Sequence, residues 1–300
     1  IDRAGNIESI KSKVITTDYL AAISTSSVSS GSYNTDKSVE LSTNETATIH
    51  FTLDTTTPNV SSAVYSNPIL IQQSTQIRFF SVDSFGNIET PKSVSLEIDK
   101  VAPITASSIQ AGTYSNFQNI VFTTNETSTT YYTTDGSTPD TNSNVFNFAF
   151  TVSSTSTIKF FSVDSVGNQE SINSLLITID QVGPSTTCNL QGGLYTQNQN
   201  FSFSTNEQAI TYYRLNTDSF IKYTSGSTLT ISNEGVNNLS FYSIDSVGNK
   251  EQSQKIVVTI DKIAPTTNTT INSGTYSEPQ YLRFETESSA KTFFTLDGSQ

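Results

Sequence analysis

Short alternations of apolar and polar residues, none longer than a strand, run along this chain. Val94, Leu96 and Ile98 alternate with Ser93, Ser95 and Glu97, and the pattern returns at Leu175, Ile177, Ile179 and at Ile256, Val258, Ile260. A period of two with one apolar side predicts a strand with one buried face. The run before each of these carries Ile77-Arg-Phe-Phe80, Ile158-Lys-Phe-Phe161 or Leu239-Ser-Phe-Tyr242. Its polar second residue marks the wet face, so Ile158, Phe160 and the small Ser162 are expected inward, with Phe161 and Val163 on the other face. Between the two runs lies Asp-x-x-Gly. Asp at the first turn position caps the backbone and Gly at the fourth supplies positive φ, predicting a type I turn with a glycine bulge. Upstream, Ile120-Val-Phe122 and Thr130-Tyr-Tyr-Thr133 bracket Thr124-Asn-Glu126 and predict another hairpin. No segment shows a 3.6-residue period with caps, so essentially no helix is expected.

These elements recur at a fixed step. Asp-x-x-Gly-Asn-x-Glu begins at Asp2, Asp83, Asp164 and Asp245, each 81 residues after the last. Gly-x-Tyr keeps the same step at Gly31 and Tyr33, Gly112 and Tyr114, Gly193 and Tyr195, Gly274 and Tyr276. So do Asp18, Asp99, Asp180 and Asp261, the last three opening Asp-Lys-Val-Ala-Pro103, Asp-Gln-Val-Gly-Pro184 and Asp-Lys-Ile-Ala-Pro265. Such periodicity predicts a tandem array. Whole modules are expected at 19–99, 100–180 and 181–261, with a C-terminal module fragment at 1–18 and an N-terminal one at 262–300. The array is expected to continue on both sides. About seven short strands per module predict an all-β fold of immunoglobulin or fibronectin type III-like antiparallel sandwiches. Pro103, Pro184 and Pro265 leave short, stiff linkers, so the modules are expected to form a rod, about 35 Å per module and about 100 Å for three.

Composition narrows the chemistry. The chain is 34% hydrophobic and 14% charged, which suits several small cores better than one large one. Fifteen basic against 27 acidic residues give a net charge of −12, a field that repels nucleic acid and anionic membrane surfaces. No window approaches the 18 or more consecutive apolar residues of a membrane span. The single Cys188 cannot form an internal disulfide, and the single His50 supports neither a histidine metal site nor a recurring Ser-His relay. Cys188 reads as a small apolar filler.

Tyr131-Tyr-Thr-Thr-Asp-Gly-Ser-Thr-Pro139, followed by Thr157-Ile-Lys-Phe-Phe-Ser-Val-Asp164 and Val166-Gly-Asn168, resembles the module at the C-terminus of chitobiases and β-hexosaminidases. The first module keeps Asp54-Thr-Thr-Thr-Pro58 and Tyr65-x-x-Pro68. The third departs, with Leu215-Asn-Thr-Asp218, Tyr223 and Ser232-Asn-Glu-Gly235, and is more similar to Ig-like repeats of bacterial envelope proteins. The resemblance implies a sandwich fold and an accessory module of extracellular microbial proteins, which usually catalyses nothing.

Several residues could carry chemistry. Asp83, Asp164 and Asp245, with Asn87, Asn168 and Asn249, offer hard oxygens for calcium, and Glu89, Glu170 and Glu251 would add charge. Turn chemistry is the competing reading of the same residues. Asp99, Asp180 and Asp261 stand where modules meet, as strand-terminating caps or as ligands that stiffen a joint. The pairs Tyr131-Tyr132 and Tyr212-Tyr213, like His50-Phe51 and Phe293-Phe294, could stack on sugars, or place one ring in the core and one on the outer face. Asn44-Glu-Thr46 and Asn125-Glu-Thr127 are glycosylation sequons, with further ones at Asn59, Asn200, Asn238 and Asn268. No acidic residue is distinguished from its repeat copies, so no catalytic pair emerges.

The sequence therefore reads as a non-enzymatic structural array on a microbial cell surface, needing no cofactor. It would be a stalk, surface-layer, sheath or filament component whose partners are neighbouring modules and identical chains. The other reading is an adhesin, or an enzyme-appended array, that grips glycans.

Overall fold

The computed structural model describes residues 3–298, and strands are the only regular elements among them. The chain falls into two compact units, one running to Gly112 and including Gln118–Thr178, the other joining Thr113–Phe117 to the residues from Ile179 onward.

The first repeat shows the architecture in nine strands. They are β1 (Ser24–Ser26), β2 (Gly31–Tyr33), β3 (Lys37–Val39), β4 (Leu41–Thr43), β5 (Ala47–Thr52), β6 (Ala63–Val64), β7 (Ile69–Ile71), β8 (Thr75–Asp83) and β9 (Lys92–Ile98). One sheet has the order β2-β9-β8-β5-β6. Facing it, β1 pairs with β4 and β3 with β7; only Glu40 separates β3 from β4, so they act as one interrupted strand. Val39, Leu41, Ile49, Ile71, Ile77, Phe79 and Leu96 fill the space between the sheets. This is an immunoglobulin-like sandwich, and the corresponding core of the third repeat is built from Phe201, Phe203, Ile231, Leu239, Phe241, Val258 and Ile260.

Two expectations are corrected. The sandwich is not wholly antiparallel, because β2 pairs with β9 in parallel, as Gly193–Tyr195 does with Gln254–Ile260. The chain leaves β1, crosses to the other sheet and lays β2 along the final strand, which covers that sheet's edge. Nor do Phe122 and Tyr131 flank a hairpin. Phe122–Thr124 pairs with Thr105–Ser107, whereas Ser128–Thr133 pairs with Ser156–Asp164 in the other sheet. The segment between them is a crossover, with Asn125 Oδ1 accepting the Ile104 N–H at 2.7 Å.

The Asp-x-x-Gly turn forms as expected. Gly86 N donates to Asp83 O at 3.3 Å, Asp83 N donates to Asn87 O at 3.2 Å, and Gly86 has φ of 86°. Val82 bridges Ile88, while the main ladder opposes Phe79 to Lys92, so one extra residue lies in the returning chain. That bulge turns Glu89 inward.

The constant step conceals compensating changes in the third repeat. Ten residues, 53–62 and 134–143, join the strand ending at Thr52 or Thr133 to the next, but only 216–220 join Ala209–Leu215 to Ile221–Lys222. The lost length returns on either side of Leu229–Ile231, and Asp245 regains register.

Candidate functional site

The residues richest in chemistry gather at the Asp-x-x-Gly-Asn-x-Glu hairpin and divide into two groups. The first meets the chain preceding the repeat, and Asp83 and Asp245 are themselves buried there. Asp164 Oδ1 accepts the N–H groups of Val166 (2.9 Å), Gly167 (2.7 Å) and Asn168 (2.8 Å), and Oδ2 accepts Asn168 Nδ2 at 2.7 Å. Asp83 and Asp245 make the equivalent bonds to Asn87 and Asn249. Burial pushes these three carboxyls up, but the hydrogen bonds from asparagine and backbone outweigh it and hold them below the ordinary carboxylate range.

The asparagine also reaches across the joint. Asn168 Nδ2 donates to Asp99 O at 2.9 Å, Asn249 Nδ2 to Asp180 O at 2.8 Å, and Asn87 Nδ2 to Asp18 O at 3.2 Å. Each terminal aspartate caps its own turn, as when Asp99 Oδ1 accepts the Val101 N–H at 3.0 Å. One asparagine thus ties the hairpin of one repeat to the last residue of the repeat before it.

At this joint carboxylate oxygens of Asp99, Glu126 and Asp164 lie within 4.8 Å of one another, and those of Asp180, Glu207 and Asp245 repeat the arrangement. Sequence reasoning missed Glu126 and Glu207 as members; their 81-residue spacing was the available signal. Three carboxylates offer oxygens suited to calcium, yet the Asp164 oxygens are already engaged with the turn. Burial, and then the like charges of Asp99 and Asp164, raise the Glu126 pKa above its ordinary value. A raised carboxyl pKa contributes stability that is lost as pH rises through the ordinary value to the raised one. Glu126→Gln should therefore raise the melting temperature at pH 7 and leave it unchanged near pH 3. Equal melting at both pH values would show that the repulsion is without consequence.

The second group faces inward. Glu89 is 8% exposed and accepts the Ser24 N–H at 3.0 Å, the Ser81 N–H at 3.2 Å, both serine hydroxyls, and the Lys92 ammonium at 2.7 Å. Glu170 takes Thr105 N at 3.0 Å and Ser162 N at 2.7 Å, and Glu251 takes Thr186 N at 3.0 Å and Ser243 N at 2.6 Å. These glutamates bolt the first strand of each repeat to the sheet opposite. Burial pushes the Glu89 carboxyl up, but hydrogen bonds from Lys92, Ser24 and Ser81 outweigh it and leave the pKa below the ordinary value.

The aromatic pairs divide between the two faces. Tyr132 stacks on Phe150 at 4.5 Å within the core, and Tyr213 meets Phe201 and Phe203. Tyr131 stacks on Phe161 and Tyr212 on Tyr242 on the outer face, where His50 stacks on Phe80. Both sequon asparagines are exposed, with Oδ1 of Asn44 and Asn125 accepting the N–H of Ile23 and Ile104. Cys188 packs against the third core, and burial pushes its thiol pKa up.

Residues 28–93 and 109–174 each match the family model of the chitobiase/beta-hexosaminidase C-terminal domain. No curated protein matches the chain. Among solved structures, the fibronectin(III)-like modules of Clostridium thermocellum CbhA align at 12% identity and TM-score 0.29, over 52% of this chain and 94% of that one. The I-band fragment I67-I69 from titin aligns at 8% and 0.41, over 80% and 98%. The ICAM-5 D1-D4 ectodomain fragment aligns at 11% and 0.44, over 83% and 80%.

Proposed function

We propose, on the premise that the chain carries tandem immunoglobulin-like modules of the chitobiase/β-hexosaminidase C-terminal type, that it is a non-catalytic structural array at a microbial cell surface. It serves as the stalk, surface-layer, sheath or filament part of a larger assembly, with modules at 19–99, 100–180 and 181–261. The observation carrying this reading is the recurrent joint: Asn87, Asn168 and Asn249 each donate to the terminal aspartate carbonyl of the preceding repeat. A hydrogen bond from a side chain already fixed to its own turn limits bending at the joint, which a spacer needs and independent catalytic domains do not. The inward glutamates support it too, because their carboxylates are taken up by backbone N–H groups of two strands and so serve cohesion.

The test is small-angle scattering of the chain together with electron microscopy of the native assembly. A globule of this length has a radius of gyration of about 19 Å, and the spacer reading expects a value well above that. A value near the globular one would overturn it. Calcium is no part of this reading, and melting temperatures in calcium and in chelator are expected to agree; a rise with calcium would instead make the acidic triads ion sites.

A further inference from the structure

The third repeat differs from the first two on one sheet face. In the first repeat the connection 53–62 folds back toward that face: Ser62 O meets His50 Nδ1 at 3.1 Å, and Arg78 Nη1 donates to Thr55 O at 3.1 Å. Phe80 and its counterpart Phe161, both outer-face rings, are 2% and 1% exposed. With the connection cut to 216–220, Tyr212, Phe220 and Tyr242 all remain partly exposed. This repeat also lies outside the residues matched by the family model.

The uncovered face is basic. Strand register places Lys255, Ser240 and Arg214 in one row, with Tyr242, Tyr212 and Lys222 in the next. Strands stand about 4.8 Å apart and alternate residues about 7 Å, so these groups share a patch small enough for a few sugar units. Arg214 lies over the Phe220 ring at 4.7 Å and Lys250 over Tyr242 at 3.7 Å, and the edge contact of Phe220 with Tyr242 at 4.8 Å joins the two. Arg214, Lys222, Lys250 and Lys255 are all the basic residues between 181 and 261. Among the described residues none of the four makes an ion pair, although Asp218 lies in the adjacent connection. Arg214 Nε is buried without a hydrogen-bond partner. The buried side chain of Asp245 and the bonds of Glu251 to the Thr186 and Ser243 N–H groups keep those two charges off the face.

A groove of about 590 Å³ opens beside Lys222, lined by exposed Ser204, Thr224 and Ser225 and by Ile210 and Tyr223. Its size is that of a small-ligand site, and the exposed side chains of Ser204, Thr224 and Ser225 at its wall can meet sugar hydroxyls.

We propose that this face and groove bind an acidic polysaccharide. Its carboxylate or sulfate groups meet Arg214, Lys222, Lys250 and Lys255, and its sugar hydroxyls meet the groove. The net charge of −12 does not prevent this, because at 0.1 M salt charges more than about 10 Å away are screened and the local cations dominate. The inference is independent of the spacer reading and differentiates one repeat of the array for attachment.

The test uses the whole chain against immobilised polygalacturonate, dextran sulfate and unsubstituted dextran in 0.1 M salt. Binding is expected to at least one acidic polymer and not to dextran, with the two acidic arms separating carboxylate from sulfate recognition. The double variant Arg214→Gln, Lys222→Gln should bind about tenfold more weakly, from two exposed ion pairs. Lys159→Gln, on the second repeat, should bind as the parent does. A second double variant, Lys250→Gln with Lys255→Gln, gives the same readout should the first misfold by circular dichroism. Absence of binding to both acidic polymers, undiminished binding by the folded double variants, or self-association of the chain that those variants abolish would overturn the proposal.

Discussion

Replacing Glu89 with alanine should destabilise the first repeat by about 3–5 kcal/mol, the cost of removing one partner from a buried charged network. The Ser24 and Ser81 N–H groups and the Lys92 ammonium lose their shared acceptor, and the strand carrying Ser24 loses a tie to the opposite sheet. For a domain of this size each kcal/mol is about 4–8 °C, so calorimetry should show a fall of about 15 °C or more. The pH dependence follows from the lowered pKa of Glu89. A carboxyl depressed in the folded state contributes stability above its unfolded pKa, and that stability is lost as pH falls through the folded value. Wild-type melting should thus drop on acidification below the ordinary carboxylate range, while Glu89→Gln starts lower and varies less. Identical melting of wild type and Glu89→Gln at pH 7 would refute the bolt.

Phe160→Ala is expected to cost the second repeat about 3–5 kcal/mol by the cavity it leaves. Phe160 is buried 4.4 Å from Phe122, whose ring also meets Tyr132, Phe146 and Phe150. Tyr131→Ala, which removes only the outer-face stack on Phe161, should cost about 1 kcal/mol. Urea unfolding of the two variants separates them, and comparable losses would mean that the outer aromatic face carries as much of the fold as the core.

The strands, the turn at Asp83 and the inward direction of Phe160 were legible because each depends on neighbours within a few residues. Period-two alternation fixes a face, and Asp with Gly fixes a turn, without reference to the rest of the chain. The supposed hairpin at Thr124-Asn-Glu126 failed for the complementary reason. Two adjacent apolar runs with a polar turn look alike whether they pair with each other or cross to opposite sheets, and the Ile104 N–H that decides the matter lies 21 residues upstream. The glutamates of the repeat motif were similarly ambiguous: a bulge, invisible in composition, turns them inward.

The sequence alone determined the repeat, its all-strand content and the residue types at each joint, because these follow from periodicity and local backbone preference. Only the tertiary structure decided where those side chains spend their hydrogen bonds. It gave Asn168 to the preceding repeat and Glu170 to the interior, brought Glu126 to Asp99 and Asp164, and paired the first strand's continuation in parallel with the last. Apart from the Ser162 N–H, eight residues from Glu170, such partners are 27 to 69 residues apart, as with the Thr105 N–H that Glu170 also accepts, and pairing at that distance is set by how two sheets pack, which no local pattern encodes.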